Sequence, residues 1–531
     1  DTGDVIDNSN DVGAPVVTKT IGMDLVFGVV TTGIAGAPLN LPGGTTIASA
    51  VTAASAGDTI NVLQGTYTEL VTVNKAVILK GAQSGVDART RTGVPETIMN
   101  GSQGGFYVTA VGAKIDGFTI QNSTASYPGF GLWLGTTSDG THVKNNIIQD
   151  NIVGIGFANV GTQQAVIQHN LIKNNNKPGA ASGTGIYTDE YVSGGPVSNV
   201  LIDSNKFEGH TGGGAALGFS STDPTRPSTN ITITNNEFTG NSRLLYAFNL
   251  TNSTIQSNDI LNSTSAATAD LRLFEGVNNL TISNNRMQGG AGRALRISNL
   301  ATGAPDATAV KFTGNSISGY TGPTDSFSVD AYTGVLNASG NWWGSNSNPE
   351  TAGTIGGTLA ANVDYSPWLN SGTDGDSGAV GFQGDFSNLH VDDDSAFSTT
   401  TYLGVTPVAN QYITEGYDLL TATGTLNVHA GSYTEAVDLG AGTNKAATLA
   451  AGASPGQVTV TGDLILTSND SLPIEIDGTN PASQYDNFLV TGNIKVDGLR
   501  TGRVEPAAEL ARLLAGRPGQ ALVVAGDVTR A

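Results

Sequence analysis

Cysteine is absent from the 531-residue chain, only 13% of its residues are charged, and 6% are aromatic. The lack of cysteine excludes a disulfide framework, a thiolate metal site and a cysteine nucleophile. The low charge argues against a disordered chain, which needs high charge and few β-branched residues. No apolar run approaches the roughly 18–20 residues of a membrane span. What is present, including 71 glycines and 38% hydrophobic residues, is typical of an all-β protein with many turns.

Positive charge is also scarce, because 24 basic residues stand against 45 acidic ones and give a net charge of −21. This balance argues against nucleic acid and acidic membrane surfaces as partners. With three methionines and no cysteine, a copper-binding role lacks soft ligands. The chain begins at Asp1 rather than Met, as expected of a fragment or of a protein whose leader has been removed. Abundant Thr, Asn, Ser and Gly favour a bacterial protein that is secreted or held at the cell surface.

One short phrase recurs between Thr141 and Trp343: an apolar residue, two further residues, Asn, any residue, and another apolar residue. Successive marked asparagines are 24, 35, 31, 22, 27, 30 and 26 residues apart. A period in this range with variable insertions predicts a solenoid whose coils carry loops. The marked residues are Asn146, Asn170, Asn205, Asn236, Asn258, Asn285, Asn315 and Asn341.

The strands of each coil are short and alternate apolar with polar residues, as in residues 230–233. Their apolar side chains are predicted to point inward and to stack on those of the next coil. We therefore predict an all-β chain folded as a right-handed parallel β-helix. Asn and Gly tolerate the left-handed backbone that its tight corners need. Asparagines at equivalent corners are predicted to lie about 4.8 Å apart and to form an amide ladder.

The chain divides into a leading segment and a long first domain. Residues 1–44 are predicted to be irregular, and residues 45–370 to form the β-helix. Between Thr46 and Ala56, apolar residues at helical spacing predict a short helix that caps the open end of the solenoid and covers its unpaired strand edge.

A second module is predicted from an internal duplication. The phrases Thr59-Ile-Asn-Val62 and Gly65-Thr-Tyr-Thr-Glu69 return as Thr425-Leu-Asn-Val428 and Gly431-Ser-Tyr-Thr-Glu435, both offset by 366 residues. Residues 382–498 are therefore predicted to form a second, shorter β-solenoid after a linker at residues 371–381 that is rich in Gly, Asp and Ser. Residues 499–531 contain five arginines and no Asn, Ser or Tyr, which indicates either a terminal helix or a foreign tail.

Several of these phrases resemble a known superfamily. Ala56-Gly-Asp-Thr-Ile-Asn-Val62 with Leu79-Lys-Gly81 resembles the first coils of pectin-lyase-like parallel β-helix proteins, and Gly340-Asn-Trp-Trp-Gly344 resembles a phrase near the end of such domains. The resemblance implies the fold over residues 45–370. It implies no single function, because the superfamily includes lyases, glycoside hydrolases, esterases, epimerases and adhesins. Gln484-Tyr-Asp-Asn-Phe-Leu-Val490 resembles passenger segments of bacterial autotransporters and surface adhesins.

Polysaccharide-active β-helices use a groove along one outer face, formed by side chains of neighbouring coils. Placing apolar residues inward turns the residue between them outward. The strands aligned in this way are Leu132-Trp-Leu134, Ile155-Gly-Phe157, Ile186-Tyr-Thr188, Leu217-Gly-Phe219, Tyr246-Ala-Phe248, Leu271-Arg-Leu273, Leu295-Arg-Ile297 and Phe327-Ser-Val329. The resulting carbohydrate-binding candidates are Trp133, Tyr187, Asp189, Arg272, Arg296 and Asp330. The catalytic candidates are Tyr187, Arg272 and Arg296.

Two interpretations of this face are open. Aromatic side chains stack on sugar rings, arginines bind uronate carboxylates in a bidentate manner, and a tyrosine or arginine serves as base in β-eliminating lyases. Alternatively, Arg272 and Arg296 pair with Asp270, Glu275 or Asp330 along a solvated ladder, and the aromatics pack under loops. The catalytic signatures of polygalacturonases and of calcium-dependent lyases are not found in the sequence. We therefore favour a structural, adhesive or carbohydrate-binding role, with a polysaccharide lyase or glycoside hydrolase acting on an acidic polysaccharide as the alternative.

Two groups of carboxylates are candidate calcium ligands, because calcium prefers several oxygen ligands. Asp374 and Asp376 lie in the linker, and Asp392, Asp393 and Asp394 open the second module. Neither group has the spacing of a known calcium loop, so a solvated turn is the favoured interpretation. The five histidines show no i, i+4 pair.

Overall fold

This computed structural model describes residues 29–32, 38–39, 46–125, 129–442, 445–451, 456–473 and 486–496. These residues form two compact units. The first comprises the described residues up to Val310 with Gly319–Thr333 and Ala379–Gly381; the second comprises Lys311–Ser318, Gly334–Gly378 and the described residues from Phe382 onwards. The predicted domain boundaries stay predictions, and the tail at 499–531 and most of segment 1–44 lie outside the described residues.

The first unit is the predicted parallel β-helix, whose successive coils contribute strands to three sheets. The first sheet contains Thr59–Val62, Ile78–Lys80, Lys114–Asp116, His142–Lys144, Ala165–Gln168, Ser198–Asp203, Ser228–Thr234, Leu250–Gln256, Asn278–Ser283 and Ala307–Thr313, with Val29–Thr32 and Pro38–Leu39 antiparallel at its start and Tyr332–Thr333 beside its end. The second contains Gly65–Tyr67, Thr97–Met99, Phe118–Gln121, Ile147–Gln149, Leu171–Lys173, Lys206–Glu208, Glu237–Thr239, Asp259–Leu261 and Arg286–Gln288. The third contains Val71–Val73, Phe106–Val108, Phe130–Leu134, Val153–Phe157, Thr184–Thr188, Leu217–Phe219, Leu245–Ala247, Ala269–Leu273, Arg293–Ile297 and Phe327–Val329.

The predicted amide ladder is confirmed at the corner between the first and second sheets. Asn236 Oδ1, for example, accepts hydrogen bonds from the backbone N–H of Asn205 at 2.8 Å and from its Nδ2 at 3.0 Å. The side chains of this ladder are fully buried. The left-handed backbone belongs to the residue before each ladder asparagine, as in Asn235 with φ 54°. The residue before each ladder asparagine therefore makes the turn, and the asparagine itself forms hydrogen bonds with buried backbone groups.

The predicted cap helix is confirmed at Ile47–Ala53. The carboxylate of Glu69 accepts hydrogen bonds from the N–H groups of Ile47 and Ala48 at 2.8 and 3.0 Å. At the start of a helix, these N–H groups would otherwise have no partner. At the other end, Lys75 Nζ donates to the carbonyl of Ala54 at 2.8 Å. The glutamate of the Gly65-Thr-Tyr-Thr-Glu69 phrase is therefore a helix cap.

The second unit is a shorter solenoid that begins in the same way. Its helix spans Tyr412–Leu419, and Glu435 accepts the N–H groups of Ile413 and Thr414 at 2.8 and 3.0 Å. These three residues lie 366 positions after Glu69, Ile47 and Ala48, so the duplication repeats a structural device. The strands of the second unit are Ser316–Ser318, Leu336–Asn337, Ile355–Gly356, Val363–Asp364, Trp368–Leu369, Asn388–Val391, Thr423–Val428, Gly431–Tyr433, Val437–Asp438, Ala446–Ala451, Gln457–Val460, Leu464–Leu466, Asn487–Val490 and Ile494–Val496, with a 3₁₀ turn at Ala360–Asn362. Within the described ranges, neither helix is long and apolar enough to cross a membrane.

Candidate functional site

The outward positions of the third sheet form one continuous row, which we name the outer column. Strand register places its members directly beside one another, about 4.8 Å apart. They are Tyr107, Trp133, Gly156, Tyr187, Gly218, Tyr246, Arg272, Arg296 and Ser328. The structure thus brings Trp133, Tyr187, Arg272 and Arg296 onto one face of the β-helix.

One strand of the predicted alignment was shifted by a residue. The sequence reading placed Tyr246 and Phe248 inward, whereas the strand is Leu245–Ala247 and Tyr246 occupies the outer column. Leu245 and Ala247 fill the inward positions, since both are buried. Leu245-Tyr-Ala247 satisfies the same rule of apolar flanks, so the sequence contained the correct alternative but did not decide between the two.

A pocket of about 420 Å³ opens on this face between Tyr187 and Tyr246; we name it the tyrosine pocket. Gly218 lies between the two tyrosines in the outer column and forms the floor. A Cβ atom at Gly218 would lie only 3.0 Å from Tyr187 Cδ2, so a larger residue would press on that ring. Arg243 lines one side. The remaining lining is made of small residues: Gly179, Ala181, Ser182, Thr184, Gly212, Gly213, Gly214, Ala215 and Ser220.

Tyr187 is held in place by Asp189. The Tyr187 hydroxyl donates to Asp189 Oδ2 at 3.0 Å, and Asp189 Oδ1 accepts backbone N–H groups of the loop that follows. Asp189 is only 5% exposed, so its carboxylate orients the loop and the tyrosine. Burial, reinforced by Asp189, raises the pKa of Tyr187, and burial also raises the pKa of Tyr246.

Trp133 lies at the covered end of the outer column. Its ring packs against Tyr107 with centroids 4.4 Å apart and ring planes tilted by 30°, and Nε1 donates to the Ser193 carbonyl at 3.2 Å. Beside it, the Phe130 ring fills the space over Gly156, where a Cβ atom would lie 2.3 Å from Phe130 Cδ2. Phe130, Ile152 and Val153 form a small apolar cluster here, with Trp133, Tyr187 and Val192 packed against it. Trp133 is therefore half-buried beneath a loop, and the face opens beyond it.

Arg272 is a buried cation, 7% exposed, and the described residues place no carboxylate at ion-pair distance from it. Its Cζ lies 4.1 Å from the centroid of the Phe274 ring, and Nη2 donates to Ser298 Oγ at 2.6 Å. Burial, together with the neighbouring Arg296, lowers the pKa of Arg272 to about 10. The group is still charged at neutral pH and has no ion-pair partner among the described residues; Asp330, the partner of Arg296, attracts it from a longer distance.

Arg243 is half-buried and lines the tyrosine pocket. Nη2 donates to the Gly213 carbonyl at 3.2 Å, Nη1 to Thr268 Oγ1 at 3.4 Å, and the buried Nε has no acceptor. Its Cζ lies 5.5 Å from the centroid of the Tyr246 ring, and burial lowers its pKa. Like Arg272, Arg243 forms no ion pair with a carboxylate of the described residues.

Arg296 differs, because it forms an ion pair with Asp330 at 3.4 Å. The alternative of a charge ladder thus describes Arg296 but not Arg272. Asp270 is 2% exposed and accepts the Tyr320 hydroxyl, and burial raises its pKa to about 6. Glu275 is 8% exposed and accepts the N–H groups of Leu300 and Ala301 at 2.6 and 2.9 Å. Both carboxylates therefore support loops.

The carboxylates of Asp392, Asp393 and Asp394 lie within 4.8 Å of one another in the second unit. Asp374 and Asp376 belong to no such group of three among the described residues. Calcium at either place stays a prediction. The same unit also contains a contact that sequence spacing does not reveal, between His390 Nδ1 and His429 Nε2 at 3.1 Å.

Arg243 was missed in the sequence, because it lies just before its strand and outside the aligned triplets. The only signal that points to it is the rarity of basic residues in a chain with 24 of them. Tyr107 was missed because its coil lacks the Asn phrase, although Phe106-Tyr-Val108 obeys the rule used for the other coils.

The sequence also matches one known family. The model of a family described as the right handed beta helix region matches residues 59–226 and 195–341, which together span more than half of the chain. No curated protein matches the chain. Among solved structures, the catalytic unit of a thermostable GH87 alpha-1,3-glucanase from Streptomyces thermodiastaticus strain HF3-3 is similar, with a TM-score of 0.37 and 15% identity over 85% of this chain and 65% of that chain, slightly under two thirds of its length. A PL6 family alginate lyase gives a TM-score of 0.32 and 12% identity, over 85% of this chain and 74% of that chain. At these identities and TM-scores, neither likeness supports a statement about this chain.

Proposed function

This chain belongs to the right-handed β-helix family, and we propose that it uses the third sheet of this scaffold to bind an acidic polysaccharide. The tyrosine pocket accepts one sugar ring in contact with Tyr187 and Tyr246, and Arg243 and Arg272 bind acidic groups of the polymer. The protein acts outside the cell or at its surface, where such polymers occur, in an adhesive or structural role.

The observation that carries this proposal is the state of the two arginines. A buried guanidinium without a counter-ion is unfavourable unless a ligand supplies one. Arg272 is buried and Arg243 is half-buried, and neither has an ion-pair partner among the described residues, although the chain carries 45 acidic residues. A uronate carboxylate matches the planar fork of a guanidinium and forms charge-assisted hydrogen bonds with it.

The aromatic rings support a sugar rather than a small anion. Tyr187 and Tyr246 lie on either side of Gly218, whose missing side chain leaves room for the Tyr187 ring, and both rings line the pocket. Aromatic faces pack against the apolar faces of sugar rings, while the tyrosine hydroxyl supplies a polar edge. The row of the outer column runs across successive coils, as binding to an extended polymer requires.

Binding without turnover is favoured over the lyase alternative. A tyrosine that removes a proton must ionise, and burial raises the pKa of both Tyr187 and Tyr246. Neither phenol is therefore prepared to act as a base near neutral pH.

The test is titration calorimetry with a set of polyuronates and with neutral glucans of equal length. We expect the wild type to bind at least one polyuronate and no neutral glucan. Arg243→Gln and Tyr246→Ala should each weaken binding, the former about 10- to 100-fold because it removes a charge-assisted hydrogen bond. Lys114→Gln removes the same charge from an exposed residue of the first sheet and should leave the affinity unchanged.

Equal effects of Arg243→Gln and Lys114→Gln would contradict the proposed site. The same samples are assayed for unsaturated-product absorbance and new reducing ends. Turnover that Arg272→Ala or Arg296→Ala abolishes would establish the enzyme alternative in place of binding.

A further inference from the structure

The loop from Asp189 to Gly195 is held rigidly at the edge of the third sheet. Asp189 Oδ1 accepts the N–H groups of Tyr191, Val192 and Ser193 at 3.2, 2.6 and 3.0 Å. The backbone of Gly195 donates to the Asp189 carbonyl at 2.7 Å and closes the loop. One buried carboxylate thus fixes three consecutive backbone groups, which removes most of the freedom of the loop.

The residues on either side of Tyr191 are anchored in opposite directions. Glu190 Oε1 accepts the backbone N–H of Asp223 at 3.0 Å, in the loop of the following coil. Val192 packs on the apolar cluster of Phe130, Ile152 and Val153 on the other side. Tyr191 is therefore part of a loop that is fastened to its neighbours before and after it.

The side chain of Tyr191 is nevertheless 81% exposed, the highest value among the exposed large hydrophobic residues of the described ranges. Nothing in the packing of the loop needs an aromatic residue at this position. A ring presented on a fixed backbone loses little conformational freedom when a ligand packs on it, which is how rigid tyrosines contribute to binding surfaces.

We propose that Tyr191 is a second sugar-stacking position, supplied by the loop rather than by the sheet. The inference rests on the proposed function, because Asp189 also binds the Tyr187 hydroxyl and so joins the loop to the tyrosine pocket. A sugar in the pocket contacts Tyr187, and a neighbouring sugar of the same acidic chain contacts Tyr191. Tyr191 therefore makes the site selective for long chains over single sugars.

The experiment compares short and long ligands of one polyuronate, a monomer or dimer that fills only the pocket and an oligomer of about eight sugars. The variants are Tyr191→Ala, Tyr191→Phe and the control Val408→Ala, which truncates an exposed side chain of the second unit (57% exposed). Loss of one stacked ring should weaken binding of the long ligand about three- to tenfold in Tyr191→Ala. The short ligand should bind all variants equally, and Tyr191→Phe and Val408→Ala should resemble the wild type.

Equal affinity of Tyr191→Ala and the wild type for the long ligand would overturn this inference, while the effect of Arg243→Gln on the same ligand would keep the proposed function standing. Weaker binding of the short ligand by Tyr191→Ala would also overturn it, because the residue would then act on the pocket itself. If the wild type binds neither length, the proposed function and this inference fail together. Unfolding midpoints of all variants are measured alongside, and they should agree because the truncated side chains are exposed.

Discussion

At the scale of single residues, two buried arginines of equal exposure have opposite surroundings. Arg91 and Arg272 are both 7% exposed. Arg91 forms an ion pair with Glu96 at 2.8 Å and donates to the Asn145 carbonyl at 2.8 Å. Arg272 has Phe274 and Ser298 as neighbours but no carboxylate among the described residues. Arg91 therefore stabilises the fold, whereas Arg272 is available to bind an acidic ligand.

This contrast predicts that replacing Arg272 raises the stability of the protein and lowers its affinity for the ligand. Arg272→Met keeps much of the side-chain volume over Phe274 and removes an uncompensated buried charge, so the free energy of unfolding should rise by about 1 kcal/mol. Affinity for a polyuronate should fall in the same variant. Urea unfolding and titration calorimetry on one preparation measure both quantities.

Arg91→Met is the matched control. It leaves Glu96 without its partner and should lower the free energy of unfolding by about 3–5 kcal/mol. A loss of similar size in Arg272→Met would mean that the folded protein itself compensates the charge of Arg272, which would contradict a role for that charge in binding.

At the scale of the structural element, the corner between the second and third sheets carries a second ladder that the sequence analysis did not identify. It consists of Asn151, Asn175, His210 and Asn241, all buried. Asn175 Nδ2 lies 3.2 Å from His210 Nε2, and His210 Nδ1 lies 2.8 Å from Asn241 Oδ1. An imidazole thus replaces an amide, because a neutral ring also has one donor and one acceptor.

The histidine in this ladder predicts a specific sensitivity to acid. Burial lowers the pKa of His210 from 6.5 to about 4, so as the pH falls below 6.5 the unfolded chain takes up a proton and the folded chain does not. The free energy of unfolding is unaffected by this group above pH 6.5 and falls between pH 6.5 and pH 4. From pH 7 to pH 5 the loss should be about 2 kcal/mol.

His210→Asn restores an amide to the ladder and removes the titrating group. Urea unfolding of wild type and variant at pH 7 and pH 5 gives the comparison, since every other titrating group is common to both proteins. The variant should lose about 2 kcal/mol less than the wild type over this interval. An identical loss in both proteins would show that His210 does not remain neutral in the folded state.

The two ladders show how far the sequence determines these elements. The first was predictable, because its asparagines share a phrase with fixed apolar positions. The second lies five residues after the first, from Asn146 to Asn151 and from Asn236 to Asn241, but His210 interrupts the pattern. The glutamate of the duplicated phrase was likewise visible, but its capping role was not, since the helix it caps precedes it by 22 residues.

At the scale of the whole molecule, coil stacking was predictable and the site only in part. Inward positions follow from apolar alternation, which locates Tyr187 and Arg272 on one face without any knowledge of loops. The position of Arg243 follows from a turn whose path the sequence does not fix. Trp133 is covered because the loop from Asp189 to Gly195 reaches across neighbouring coils, and such long-range contacts leave no mark in local spacing.

The net charge of the whole molecule makes the presence of two arginines without ion-pair partners, Arg243 and Arg272, unusual. A chain with a net charge of −21 repels acidic polymers. At 0.1 M salt, this repulsion is largely screened at distances beyond about 10 Å. Recognition of an acidic polymer must therefore come from short-range contacts with Arg243, which lines the pocket, and with Arg272, which follows Tyr246 in the outer column.

The most direct test of the central claim is a crystal structure of the protein with an acidic oligosaccharide. We predict one sugar ring in the tyrosine pocket in contact with Tyr187 and Tyr246, with its carboxylate within hydrogen-bonding distance of Arg243. An oligosaccharide bound on the first or second sheet, or on the second unit, with the tyrosine pocket empty would contradict it.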